Sequence, residues 1–174
     1  DETTVTVDVT DPVTTIALDE DSDSATVGDW ITLTGDVTVT GTSEAGATVV
    51  LTLNWGTSGA VDYDITADAA TGDWAQALTL TEGAHTLVAY ATDIAGNGHP
   101  MEGTFNLVVD QTAPTAPVFG LDPLTDSGDT GDGITNSLNQ TITGTAEAGT
   151  LVELFVDGTL LDTVIADADT GAWS

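Results

Sequence analysis

Val39-Thr40-Gly41-Thr42-Ser43-Glu44-Ala45-Gly46-Ala47-Thr48-Val49 returns about a hundred residues later as Ile142-Thr143-Gly144-Thr145-Ala146-Glu147-Ala148-Gly149-Thr150-Leu151-Val152, which makes the chain a tandem repeat. Other landmarks keep nearly the same offset. Val7-Asp8 through Pro12 matches Val109-Asp110 through Pro114, Gly28-Asp29 matches Gly131-Asp132, and Thr71-Gly72-Asp73-Trp74 matches Thr170-Gly171-Ala172-Trp173. The expected division is residues 1–10 as the final strand and linker of a preceding repeat, 11–110 as a complete copy, and 111–174 as the N-terminal part of the next copy, truncated before its last strands.

Short runs of Val, Ile, Leu and Thr separated by 19 Gly give a β composition. Thr3 to Asp8 alternates at period two and aligns with Phe105 to Asp110, so it is expected to be a strand. Inside the complete copy, strands are expected over Val13–Leu18, Val37–Ser43, Ala47–Asn54, Tyr63–Ala67, Trp74–Leu80, His85–Thr92 and Gly103–Val109, with Ile31–Thr34 as a short extension. Short strands joined by turns in this number predict an all-β fold: tandem immunoglobulin-like β-sandwich domains, one complete and one truncated, end to end. Asp11-Pro12 makes the junction short and stiff, because proline fixes its own φ and biases its predecessor to extended geometry.

The charge balance excludes whole classes of partner. With 29 Asp and Glu, no Lys, no Arg and two His, the formal charge is −29, and nothing in the chain could neutralise a nucleic-acid phosphate. Anionic membrane surfaces are disfavoured for the same reason, and no apolar run has the length of a membrane span. The N-terminus carries no basic-then-apolar leader pattern. Such a chain repels itself unless cations gather on it. There is no Cys, so a small extracellular domain of this kind needs a staple other than a disulfide, and Ca²⁺ is the expected one. The competing expectation is that acidity serves solubility alone.

Thr143-Gly144-Thr145-Ala146-Glu147-Ala148-Gly149, Thr170-Gly171-Ala172-Trp173-Ser174, Ala91-Thr92-Asp93-Ile94-Ala95-Gly96-Asn97 and Val109-Asp110-Gln111-Thr112-Ala113-Pro114 together resemble the bacterial Ig-like repeats of giant secreted adhesins, in particular the calcium-loaded extender domains of RTX-type, type I-secreted adhesins. The resemblance covers nearly the whole chain. The first copy departs from the pattern at Asp11-Pro12, where the second has Ala113-Pro114, and at Asp73, where the second has Ala172.

Sandwich topology sorts the acids by pole. The pole where the chain enters collects Glu44, Asp68, Asp73, Asp93 and Asn97 beside the linker acids Asp8 and Asp11; the opposite pole collects Asp19, Asp21, Asp23, Asp29 and Glu82, facing the next linker at Asp110. Carboxylates crowded without a basic partner invite a hard cation, and oxygen ligands on flexible loops favour Ca²⁺. The loop from Asp126 through Asp129 to Asp132 is a further ligand set, with glycines that let the backbone wrap. The expected metal residues are therefore Asp8, Asp11, Glu44, Asp68, Asp93, Asn97, Asp110, Asp126, Asp129 and Asp132. Asp19-Glu20-Asp21-Ser22-Asp23 is not an EF-hand, since Ser24 stands where its Gly belongs and Trp30 where its closing Glu belongs.

Trp74 and Trp173 occupy equivalent positions and are expected in the core, whereas Trp30 and Trp55 have no aromatic counterpart in the second copy and are the candidates for an exposed contact. His85 and His99 form no cluster and stand beside no Ser or Cys elbow, so no enzyme is expected. Asn139-Gln140-Thr141 fits a glycosylation sequon that a bacterial surface protein is expected to leave unused. The functional expectation is a structural extender of a secreted, extracellular, cell-surface adhesin active in cell adhesion and biofilm formation. Its partners would be neighbouring repeats of the same chain, with glycan or a host or biofilm surface met through distal domains, and without membrane insertion. The alternative is a binding module that contacts glycan or another protein through Trp30, Trp55 or the acidic loops.

Overall fold

The computed structural model describes residues 5–24, 26–99 and 104–174. Thr3 and Thr4, which head the first expected strand, and Gly103, which heads the last, lie outside the described residues. The chain forms two compact units, Asp1–Gln111 and Thr112–Ser174. Among the described residues no helix is long and apolar enough to cross a membrane.

The first unit is a β-sandwich. One sheet is ordered β1 (Ala17–Leu18), β3 (Asp36–Thr42), β6 (Asp73–Thr79). The other is ordered β2 (Ile31–Thr32), β9 (Phe105–Val109), β7 (Gly83–Thr92), β4 (Thr48–Leu53), β5 (Val61–Thr66), with β8 (Gly98–His99) on β7. All ladders are antiparallel except β2 with β9, where Ile31 faces Val108 and Thr32 faces Val109. Period-two alternation turns one face of each strand inward: Val37, Val39, Trp74 and Leu78 from one sheet meet Val49, Leu51, Leu53, Leu87, Leu107 and Val109 from the other. Each fully buried Leu or Val in that set contributes roughly 1.5–3 kcal/mol relative to exposure.

Several strands are shorter than their sequence pattern, Ile31–Thr34 keeping only Ile31–Thr32 and Ala47–Asn54 only Thr48–Leu53. Val13–Leu18 keeps only Ala17–Leu18 as regular ladder; ahead of it Thr15 donates its N–H to the Thr42 carbonyl at 2.8 Å, and Thr15 Oγ1 lies 2.8 Å from Thr42 Oγ1. Val5–Asp8 forms no strand, and Val5, Val7 and Val9 are each 80% exposed. Alternation alone does not make a strand; a ladder partner does, and none of the described residues pairs with this segment.

Gly41 explains why the repeated stretch contains Thr-Gly-Thr. It lies opposite Trp74 across β3 and β6, and a Cβ there would come within 2.4 Å of the indole and 2.0 Å of the Thr15 carbonyl oxygen. The bare backbone is the floor on which the Trp lies, 4% exposed.

The second unit repeats this scheme. β10 (Val118–Leu121), β11 (Ile142–Thr145) and β14 (Ala172–Trp173) form one sheet, and β12 (Leu151–Val156) pairs with β13 (Thr159–Ile165) in the other. Gly120 faces Thr143 as Ala17 faces Thr40, and Gly144 faces Trp173 as Gly41 faces Trp74. Asp157 and Gly158 turn β12 into β13 with φ of 51° and 78°, the two left-handed residues of a type I′ hairpin.

Candidate metal centre

Three loops of the first unit bring carboxylates together. Asp8 comes from the N-terminal segment, Glu44 from the β3–β4 turn, and Asp93 from the end of β7, and one carboxylate oxygen of each lies within 4.8 Å of the others. The turn after β7 is built for this. Asn97 donates its backbone N–H to Asp93 Oδ1 and its side-chain amide to Oδ2, both at 2.8 Å, and the same amide reaches the Asp8 carbonyl at 3.2 Å. Asn97 thus fixes the Asp93 carboxylate and ties the incoming segment to it. These hydrogen bonds, the Asn97 side chain foremost, hold the Asp93 carboxyl below its usual pKa, so the group is charged at neutral pH. Asp93 is buried while Asp8 and Glu44 are exposed, which gives a half-open anionic pocket.

The remaining sequence candidates divide. Asp11 is not among the three converging acids. Asp68 uses its carboxylate on its own turn, accepting the backbone N–H groups of Ala70 and Thr71 at 2.8 and 2.9 Å, and those bonds lower its pKa. Asp110 follows β9, and its N–H donates to the Thr32 carbonyl at 2.8 Å. Asp129 is exposed, and Asp132 accepts the Ile134 N–H at 2.8 Å. Asp126 is 9% exposed; its Oδ2 accepts the Gly131 N–H at 2.6 Å while its Oδ1 is buried without a hydrogen-bond partner.

Asp23 repeats the Asp126 arrangement in the first unit. Its Oδ2 accepts the Gly28 N–H, and its Oδ1 is again buried and unpartnered. The surrounding bonds repeat as well: Ser24 Oγ accepts the Leu33 N–H as Ser127 Oγ accepts that of Asn136, each at 2.8 Å. Sequence spacing favours the Asp126 loop, whereas Asp19 to Asp23 fails the EF-hand pattern. The constant offset between the repeats was the signal that the two loops are one.

Of the aromatic candidates, Trp74 and Trp173 are buried at 4% and 7%. Trp30 is half-buried and stacks on Phe105 with ring centroids 5.1 Å apart; Trp55 is 50% exposed.

Among curated proteins no relative matches. A solved structure described as a tetra-tandem repeat in the extending region of a large adhesion protein aligns with 93% of this chain at 19% identity and a TM-score of 0.39. The chain spans 40% of the length of that structure. The family model of the bacterial Ig-like domain matches residues 4–111, more than half of the chain and the whole of the described sandwich. The chain therefore belongs to the bacterial Ig-like domain family.

Proposed function

We propose that this chain is a structural extender segment of a bacterial cell-surface adhesin, and that Ca²⁺ bound where one repeat meets the preceding segment stiffens it. The observation that carries the reading is the convergence of Asp8, Glu44 and Asp93 within 4.8 Å in a chain without Lys or Arg. A Ca²⁺ with ligands at about 2.3–2.6 Å places its outermost oxygens about 5 Å apart, so the three carboxylates suit such an ion without rearrangement of the fold. The ion would draw the linker residue Asp8 onto the two loops; without it, three like charges push the linker away. Repetition of the module, and the lack of any nucleophile–base pair in the sequence, favour a mechanical role over a catalytic one. In the sequence Asp110 stands at the position equivalent to Asp8, and Glu147 at that of Glu44.

The test is thermal unfolding of the full chain with Ca²⁺ and with chelator. Ca²⁺ at about a hundred times its dissociation constant should stabilise the first unit by roughly 2.7 kcal/mol. Asp93→Asn with Glu44→Gln should remove the junction's part of that gain, while Asp157→Asn, in a turn where Asn accepts the left-handed backbone, should leave it intact. A melting temperature indifferent to Ca²⁺ and chelator would overturn the reading and leave acidity as a device for solubility.

A further inference from the structure

The two acidic loops that precede β3 and β11 contain an anomaly that the junction does not explain. In each unit one carboxylate, Asp23 at 7% exposure and Asp126 at 9%, keeps a buried Oδ1 with no hydrogen-bond partner, while its Oδ2 is held by a backbone N–H five residues on. A buried carboxylate oxygen without a partner is expensive, far more so than the neutral indole N–H groups of Trp74 and Trp173 that are also left unpartnered, because it carries charge. With no Lys or Arg in the sequence, no side-chain cation of those types can do so.

We infer that each of these loops holds its own hard divalent cation, of the Ca²⁺ type, anchored on Asp23 Oδ1 in the first unit and on Asp126 Oδ1 in the second. This site lies inside a single repeat and does not depend on the junction. A water could supply hydrogen bonds to Oδ1 but not charge, and the loops are dense in charge: Asp19, Glu20, Asp21 and Asp29 accompany Asp23, and Asp122, Asp129 and Asp132 accompany Asp126. In the first unit Asp23 lies on the wall of a cleft of about 370 Å³ shared with Asp19, Glu20, Gly28 and Trp30. That volume accommodates an ion with several retained waters, each about 30 Å³. Asp19 and Glu20 stand on the same wall without converging on Asp23, so they complete the shell by side-chain rotation or through water. The second unit has Pro123 in place of Glu20 and Gly133 in place of Trp30, which leaves its loop with fewer carboxylates and makes it the weaker of the two sites.

Trp30 makes the first site testable, because an indole beside a bound Tb³⁺ sensitises its emission. Terbium is added to the full chain carrying Asp93→Asn and Glu44→Gln, which removes the junction. Trp-excited emission should persist there, fall on addition of Ca²⁺, and be lost in Asp23→Asn and in Trp30→Phe. The isosteric Asp23→Asn keeps an oxygen for the Gly28 N–H, and slow exchange of that amide reports that the loop is still formed. Should Asp23→Asn fail to fold, Trp30→Phe decides alone, since it leaves every carboxylate in place. Emission unchanged by Trp30→Phe, or by a folded Asp23→Asn, overturns the inference, as does a Ca²⁺ stoichiometry that neither Asp23→Asn nor Asp126→Asn reduces; a buried water would then occupy the loop. A melting temperature that responds to Ca²⁺ equally with and without Asp93→Asn and Glu44→Gln, alongside retained Trp30-sensitised emission, would sink the proposed function and leave this site standing.

Discussion

Val49, Leu51 and Leu53 of β4 correspond in the repeat to Val152, Leu154 and Val156 of β12, yet the first three are 0%, 0% and 8% exposed whereas Val152 is 6%, Leu154 half-buried and Val156 52%. The same contrast separates Ile16, packed against the first core, from its counterpart Phe119, which is 63% exposed. The Gly–Trp contact recurs in both units, while β4 and β5 are joined by residues 54–60 and β12 and β13 by the tighter Asp157-Gly158 turn, so the hairpin differs locally, but a turn alone does not expose a strand's inner face. The difference in burial arises because β7 and β9 close the first sandwich, while the second unit within this chain carries counterparts only through β6. Local pattern therefore sets the shape of each hairpin, and the later strands supply most of the burial that stabilises it.

Amide exchange measures that contrast with the largest effect. Amides of β3 and β4 should exchange only through global opening of the first unit, while those of β11 and β12 open through a unit with a much smaller core. A difference of about 2.7 kcal/mol between the units corresponds to roughly a hundredfold in protection. Equal protection of residues 140–163 and 37–54 in a monomer would show that the second unit does not need further strands.

A matched pair of truncations gives the next effect. Leu51→Ala removes a fully buried side chain and should cost about 2–5 kcal/mol of the first unit's stability, whereas Leu154→Ala, half-buried at the equivalent position, should cost well under half as much. Denaturant unfolding of the two variants, followed by Trp74 and Trp173 fluorescence, separates the units. Equal losses would mean that the second unit buries Leu154 as deeply in solution as the first buries Leu51.

These contrasts also mark what the sequence could carry. The central strands of the sandwich follow from period-two alternation, and the repeat marked Gly41 and Trp74 as separate recurring residues without showing that they touch. Pole assignment brought Asp8, Glu44 and Asp93 to one place because topology alone dictates which turns share an end. It placed Asp68 there too, and that residue spends its carboxylate on its own turn, since Asp followed by three small residues closes an Asx-type turn locally. The short parallel ladder of β2 with β9 and the buried orphan oxygens of Asp23 and Asp126 were not legible. The ladder joins segments more than seventy residues apart, and whether a carboxylate oxygen is left without a partner is set by packing; no local spacing encodes either.

The smallest effect tests whether a turn survives without the strands above it. Asp167 repeats Asp68: it accepts the N–H groups of Asp169 and Thr170 at 3.1 and 2.9 Å and the Thr170 hydroxyl at 2.8 Å. The carboxyl is lowered in both, by the Ala70 and Thr71 backbone groups at Asp68 and foremost by the Thr170 hydroxyl at Asp167. A folded pKa below the unfolded value of about 3.9 means that the unfolded chain binds the proton more readily, so each turn adds stability that is complete above that pH and is lost as pH falls through the folded value. Carboxyl carbon shifts followed by NMR through this range should show both residues titrating below ordinary aspartates, and Asp68→Asn should flatten the acid limb of the first unit's stability. If this turn between sheets is as local as its hydrogen bonds imply, Asp167 titrates low even though the second unit's sheets hold fewer strands. An Asp167 that returns to the ordinary value while Asp68 stays low would mean that the turn forms only under a closed sandwich, and that the likeness of the two units extends to sequence but not to independent folding of the parts.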